Sequence, residues 1–119
     1  MTVFVDDVRY RYGRMIMCHM WSESVFELMD MAQAIGLSCR WIQLPPKASW
    51  VHFDISLDRK AAALSRGAVL TDRYGPVEHV ARLQLMSPDP RVVAAARERL
   101  IGLANIRARR AKPVQGVLL

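Results

Sequence analysis

Four residues of this 119-residue chain place a side chain able to move a proton or ligate a metal inside an otherwise apolar run: Asp6, His19, His52 and Asp54. His52 and Asp54 alternate with apolar neighbours across residues 51–55, which puts both on one face of an extended segment. A histidine and a carboxylate so placed can form half of a metal site, or a base and the carboxylate that orients it. Asp6 and Asp7 close the run Thr2–Val5, and since neighbours on a strand face opposite ways, only one of them looks into a given pocket. The other caps a turn or pairs with an arginine. Two histidines and a carboxylate leave a coordination position open, so a divalent metal is a cofactor this set could hold. Against each functional reading stands a structural one, in which a histidine is satisfied by backbone and a carboxylate by a cation. His79, among polar neighbours, is expected at the surface.

Short elements must position these residues. Thr2–Val5 and Met15–Trp21 read as buried strands, joined by a turn over Tyr10–Gly13. Ser24 and Glu27 form a capping box, Val25 to Ile35 recur at helical spacing, and Gly36 ends that helix. Leu37–Gln43 reads as a third strand stopped by Pro45-Pro46, and Val51–Ile55 as a further one. Ser56 caps a helix closed by Gly67, ahead of a short apolar run at residues 68–70. Two more helices start near Pro76 and Pro90, the last carrying Val93, Ala96, Leu100, Leu103 and Ile106 as one stripe. The order predicts an α/β fold: a small, mostly parallel sheet of about four strands with packed helices, and a basic amphipathic helix at the C-terminus. The expected organisation is an α/β domain over residues 1–88 and a helical extension over 89–119, frayed after Pro113.

Hydrophobic residues make up 52 % and charged residues 24 % of the chain, the balance of a globular protein. Residues 1–90 carry ten basic and ten acidic side chains, so the net charge of +6 arises entirely from Arg91 onward. There Arg97, Arg99, Arg107, Arg109, Arg110 and Lys112 could contact nucleic-acid phosphates, while the apolar stripe could seat a host protein or a second copy of the chain. The bland alternative is a solvated helix packed on the body. Cys18 and Cys39 are expected as buried thiols. With no leader-like opening and no apolar stretch of membrane length, the expected compartment is the cytoplasm and no membrane partner is expected. Gly-rich phosphate loops, GxSxG, HExxH and zinc-finger spacings do not occur.

The segments Val3-Phe-Val-Asp-Asp7, Gly13-Arg14, Cys18-His-Met20, Glu27-Leu28, Ile35-Gly36, Trp41-Ile-Gln43, His52-Phe-Asp-Ile55, Arg59-Lys60 and Gly67-Ala-Val69 together resemble the bacterial and phage family called domain of unknown function 4031, over about residues 2–72. That family carries no assigned activity. The resemblance implies that Asp6, Asp7, His19, Trp41, Gln43, His52, Asp54 and Lys60 belong to a shared pattern, and their polar majority suits a pocket. The leading expectation is a small hydrolase or transferase acting on a phosphate-bearing or nucleotide-like substrate. Asp6, His19, His52 and Asp54 would be its catalytic set, with Gln43, Lys60 and Trp41 holding substrate. Nucleic-acid binding by the arginine-rich helix and a phage protein-interaction module are the alternatives.

Overall fold

The computed structural model describes residues 2–111, so the fraying expected after Pro113 and the cation at Lys112 lie outside the described residues. The described chain divides after Pro76 into two compact units. The first holds strands β1 (Val3–Val5), β2 (Tyr10–Tyr12), β3 (Met15–Ser22), β4 (Phe53–Ser56) and β5 (Val69–Leu70), with helices α1 (Val25–Ala34) and α2 (Leu57–Ser65). Helices α3 (Gly75–Gln84) and α4 (Pro90–Ala111) follow. No helix among the described residues is long and apolar enough to cross a membrane.

The long strand β3 organises the sheet. One of its edges pairs antiparallel with β4, and its other edge takes β2 and then β1, both antiparallel. The far edge of β1 pairs with β5 in parallel. The sheet is therefore mixed with five strands, and the expected mostly parallel sheet of about four is corrected: β1–β5 is the parallel pairing, and the others are antiparallel. Two local causes account for the difference. Gly13 takes a positive φ of 61° and folds Tyr10–Tyr12 back on Met15–Met17, so the segment expected as a turn is half of a hairpin. The stretch expected as a strand at Leu37–Gln43 instead winds into a 3-10 turn at Cys39–Trp41, because the Ser38 hydroxyl accepts from Arg40 N. Without that strand no parallel crossover forms after α1. Only Gln43 touches the sheet, through an isolated bridge to His52, and the regular strand begins one residue later at Phe53.

The pleat separates a packed face from a polar one. Val3, Val5, Cys18, Met20, Phe53 and Ile55 share one face and meet Leu28, Ala32 and Ile35 of α1 and Ala63 of α2. Burying Phe53, Met20, Leu28 and Ile55 completely contributes about 1.5–3 kcal/mol each. Both helices end in the same manner: Leu37 N bonds Ala32 O and Ala68 N bonds Ala63 O across Gly36 and Gly67, whose φ values are 75° and 99°. Cys18 faces this core as expected, whereas Cys39 is exposed on its 3-10 turn.

In the second unit, Ala96 and Leu103 of the α4 stripe are buried and Val93, Leu100 and Ile106 half-buried, as the spacing predicts. His79 is buried, contrary to the surface position expected, since polar neighbours along a helix point to other sides of it and do not set the side a residue faces. Glu78, its polar neighbour, bonds Arg82 on the same helix and Arg107 of α4. Burial would raise the Glu78 pKa, but the hydrogen bonds and charges of Arg107 and Arg82 outweigh it and hold the carboxyl below its ordinary 4.5. A depressed folded pKa stabilises above the unfolded value and loses that contribution as pH falls through the folded one. Glu78→Gln will therefore destabilise the protein at pH 7, by no more than about 1 kcal/mol given the partial exposure. In denaturant titrations the gap from wild type will close as pH drops below 4.5. A gap independent of pH contradicts the role given to the pair.

Candidate functional site

The other face of the sheet carries the four singled-out residues. Opposite His19 on one side stands Asp54, its direct cross-strand partner, and on the other side Asp6, whose N–H donates to the His19 carbonyl at 3.1 Å. An unbroken antiparallel ladder would return the second bond from His19 N to the Asp6 carbonyl. Here the chain leaves the ladder, and the Asp6 side chain takes that bond instead, with Oδ1 accepting from His19 N at 3.0 Å and from Val8 N at 3.3 Å. Its Oδ2 lies 2.6 Å from His19 Nδ1. Asp6 is completely buried and Asp7 exposed, the division that strand alternation predicts.

These contacts fix the imidazole of His19. A carboxylate already accepting two backbone bonds makes Nδ1 the protonated nitrogen and leaves Nε2 to face Asp54, 3.7 Å from its Oδ1. His52 is fixed in the same sense. Its Nδ1 lies 3.0 Å from the Trp50 carbonyl, which can only accept, so its Nε2 is also turned toward Asp54 Oδ1, at 3.4 Å. The Trp50 indole stacks on the His52 ring, centroids 4.1 Å apart at 14°, and Tyr10 leans on His19 at 5.5 Å. Tyr10 also lies beside Asp54.

The electrostatics follow from this geometry. Burial works to lower the His19 pKa, but the hydrogen bond and charge of Asp6, with the charge of Asp54, raise it above its ordinary 6.5. Asp54 is held below its ordinary value chiefly by the His52 ring, against burial, with help from Tyr10. Burial, then the bond to Asp54, pushes the Tyr10 hydroxyl upward. Across the sheet, burial and next the Asp6 charge push the Cys18 thiol up to about 11, which makes it a poor nucleophile and a poor metal ligand.

A cleft of roughly 770 Å³ opens beside Asp54, within the size range of small-molecule sites. Tyr10, Trp41, Gln43, Arg40 and Lys47 line it together with Asp54. The structure thus brings Asp6, His19, His52 and Asp54 into one cluster and sets Gln43 and Trp41 in the adjoining cleft. Lys60 does not line that cleft. It rides on α2, where its charge acts on the Cys18 thiol. In the second unit Arg99 bonds Gln84 and Arg107 bonds Glu78, while Arg97, Arg109 and Arg110 are exposed.

Sequence reasoning missed Tyr10, the Trp50 carbonyl, Arg40 and Lys47. Tyr10 was legible in principle, since Tyr10-Arg-Tyr12 ahead of Gly13 alternates as a hairpin strand does. Arg40 and Lys47 gain their place from the 3-10 turn and the following loop, for which the sequence carries no periodic signal.

Asp6 occupies a position where truncation strands the His19 N–H and ring in a buried place. Asp6→Ala will cost about 3–5 kcal/mol in chemical denaturation, the range for breaking a buried charged contact. Asp54→Asn, which keeps volume at a half-exposed position, will cost less than about 1 kcal/mol. Equal costs would contradict this division between a carboxylate that holds the strand and one offered to a ligand.

No curated protein and no solved structure matches this chain. A family model described as protein of unknown function, DUF4031, matches residues 3–84, reaching past the segment over which the motifs were read and covering every strand and every residue of the cluster. With that match spanning most of its length, the chain belongs to the DUF4031 family.

Proposed function

We propose that this protein is a small hydrolase or transferase acting on a phosphate-bearing, nucleotide-like substrate, with the Asp6–His19–Asp54–His52 cluster as its reactive centre. The observation that carries the reading is the double placement of Asp54, which stands among the two Nε2 atoms and also lines the cleft. Anything bound in the cleft therefore has one end against the cluster. The Arg40 and Lys47 cations suit phosphate oxygens, Trp41, 57 % exposed, offers a surface for a base, and Gln43 offers an amide to its edge.

In hydrolysis the cluster holds a water and draws off one proton. The water oxygen forms a bond to phosphorus, the bond from phosphorus to the leaving oxygen breaks, and that oxygen keeps the electron pair and is protonated. In transfer an acceptor hydroxyl replaces the water. The rings are held in place before substrate arrives, His19 by Asp6 and His52 by Trp50. Little of the barrier is then spent on ordering them. Two free thiols are in keeping with work in the cytoplasm.

The test is release of phosphate, pyrophosphate or nucleoside from a panel of nucleoside mono-, di- and triphosphates, and of p-nitrophenol from bis(p-nitrophenyl) phosphate, with and without added divalent metals. Turnover of at least one member is expected. Asp54→Asn will lower kcat by about 10²–10⁴-fold, as loss of a group that handles the transferred proton does. The double change Arg40→Ala with Lys47→Ala will raise KM about tenfold and leave kcat nearly unchanged, the mark of lost uniform binding. A panel with no turnover and no saturable binding sinks the reading.

A further inference from the structure

We infer that His19 Nε2, His52 Nε2 and the Asp54 carboxylate form a binding site for one divalent first-row transition-metal ion, Zn²⁺ being the simplest member of the class. The inference deepens the catalytic reading and rests on the same cluster, but metal binding is read out independently of any turnover.

Spacing is the first argument. Asp54 Oδ1 stands 3.4 Å from one Nε2 and 3.7 Å from the other, outside the ordinary 2.7–3.2 Å range of a nitrogen–oxygen hydrogen bond. Two donor atoms each about 2.0–2.2 Å from a tetrahedral ion lie about 3.3–3.6 Å apart. The observed separations suit ligands sharing an ion better than groups bonded to one another. All three donor atoms lie within 4.8 Å of each other, so an ion needs only a small inward movement of the rings.

Tautomer is the second argument. A ligating histidine gives its lone pair to the metal and donates its other N–H to a carboxylate or a backbone carbonyl. His19 meets the Asp6 carboxylate and His52 the Trp50 carbonyl, one example of each partner, and both through Nδ1. Both Nε2 atoms are thereby turned toward the same carboxylate oxygen. Tyr10 lies beside Asp54, the third ligand.

The donor set selects the ion. Two imidazoles and one carboxylate suit zinc, iron, nickel or cobalt, whereas magnesium and calcium require oxygen donors in greater number. Cys18 faces the opposite side of the sheet, which excludes a thiolate from the set. Three protein ligands would leave a tetrahedral ion one position for water or substrate, as at catalytic ions, and one of the three, Asp54, also lines the cleft.

The test uses the full chain without a histidine tag, stripped with a chelator and titrated with Zn²⁺ by calorimetry and with Co²⁺ by visible absorption. Expected are one ion per chain, a dissociation constant at or below about 1 µM, and tetrahedral Co²⁺ bands. His52→Ala and Asp54→Asn will each weaken binding at least about 100-fold, Asp6→Asn about 10–100-fold, and Cys39→Ser not at all. Should His52→Ala fail to fold by circular dichroism, Asp54→Asn, which preserves shape, decides alone. A Zn²⁺ dissociation constant weaker than about 100 µM, or full affinity in folded Asp54→Asn, overturns the inference. Tight binding without turnover on the phosphate panel removes the hydrolase reading and leaves the metal site. Turnover with a Zn²⁺ dissociation constant weaker than about 100 µM does the reverse.

Discussion

The carboxylate of Asp6 stands where a backbone carbonyl would stand in an unbroken ladder, and both the fold and the candidate site depend on that replacement. By accepting from His19 N it ends β1 without leaving an unpaired donor in the middle of the sheet. The chain is then released to make the excursion before β2, where residues 7–9 stand opposite the single residue Cys18. Two extra residues, unlike one, preserve the alternation of faces, so Tyr10 rejoins β3 on the side that carries His19. With its second oxygen the same carboxylate orients the His19 ring. One buried side chain thus closes a ladder, sets the parity of the next strand and fixes a tautomer.

The two faces of the sheet illustrate how strictly the pleat partitions chemistry. Val5, Met20, Cys18, Phe53 and Ile55 occupy one side, and Asp6, His19, Asp54 and His52 the other, with no exchange between them along β1, β3 and β4. A slip of β4 by one residue would carry Asp54 into the core and Ile55 into the cluster. Burying a carboxylate there without a partner costs more than any single side-chain burial returns. The register that positions the site is therefore enforced by the core behind it, chiefly by Phe53 against Met20 and Ile55 against Cys18. The aromatic rings of Trp50 and Tyr10 flank the cluster, and partial exclusion of water strengthens every charge interaction inside it.

The four residues of the cluster were legible because each interrupts an apolar run, and an interruption in a strand must either be satisfied or serve a purpose. Alternation placed His52 and Asp54 together and put Asp6 and Asp7 on opposite sides. Capping chemistry located α1 and α2, since Ser24, Gly36, Ser56 and Gly67 act within a few residues of themselves. Pairing partners were a different matter. Nothing local distinguishes the Leu37–Gln43 run from a strand, because what decides it is a hydroxyl at Ser38 that bonds Arg40 N and turns the backbone into a 3-10 turn before it can pair beyond Gln43. The direction of the strands is hidden for the same reason: it depends on which edges meet, and Gly13 marks a turn without showing the hairpin it closes. His79 was misplaced because polar neighbours on a helix say nothing about the stripe a residue itself lies on.

A purely structural account of the cluster meets a difficulty in the distances. If the fold required only that His19, His52 and Asp54 be satisfied, the economical arrangement would bring one Nε2 within hydrogen-bonding range of the carboxylate and let it serve as donor. Both histidines instead commit their Nδ1 protons to partners behind them, Asp6 and the Trp50 carbonyl, which leaves electron pairs rather than protons turned toward Asp54. Three acceptors facing one another repel unless something positive lies among them. A divalent ion, as inferred above, would answer that demand for all three groups at once, and at separations already close to those that coordination requires. The Asp6 carboxylate is what makes the arrangement affordable to the fold: it is anchored by two backbone donors, Val8 N after β1 and His19 N of β3, so the group behind His19 is held by main chain and not by the site it serves.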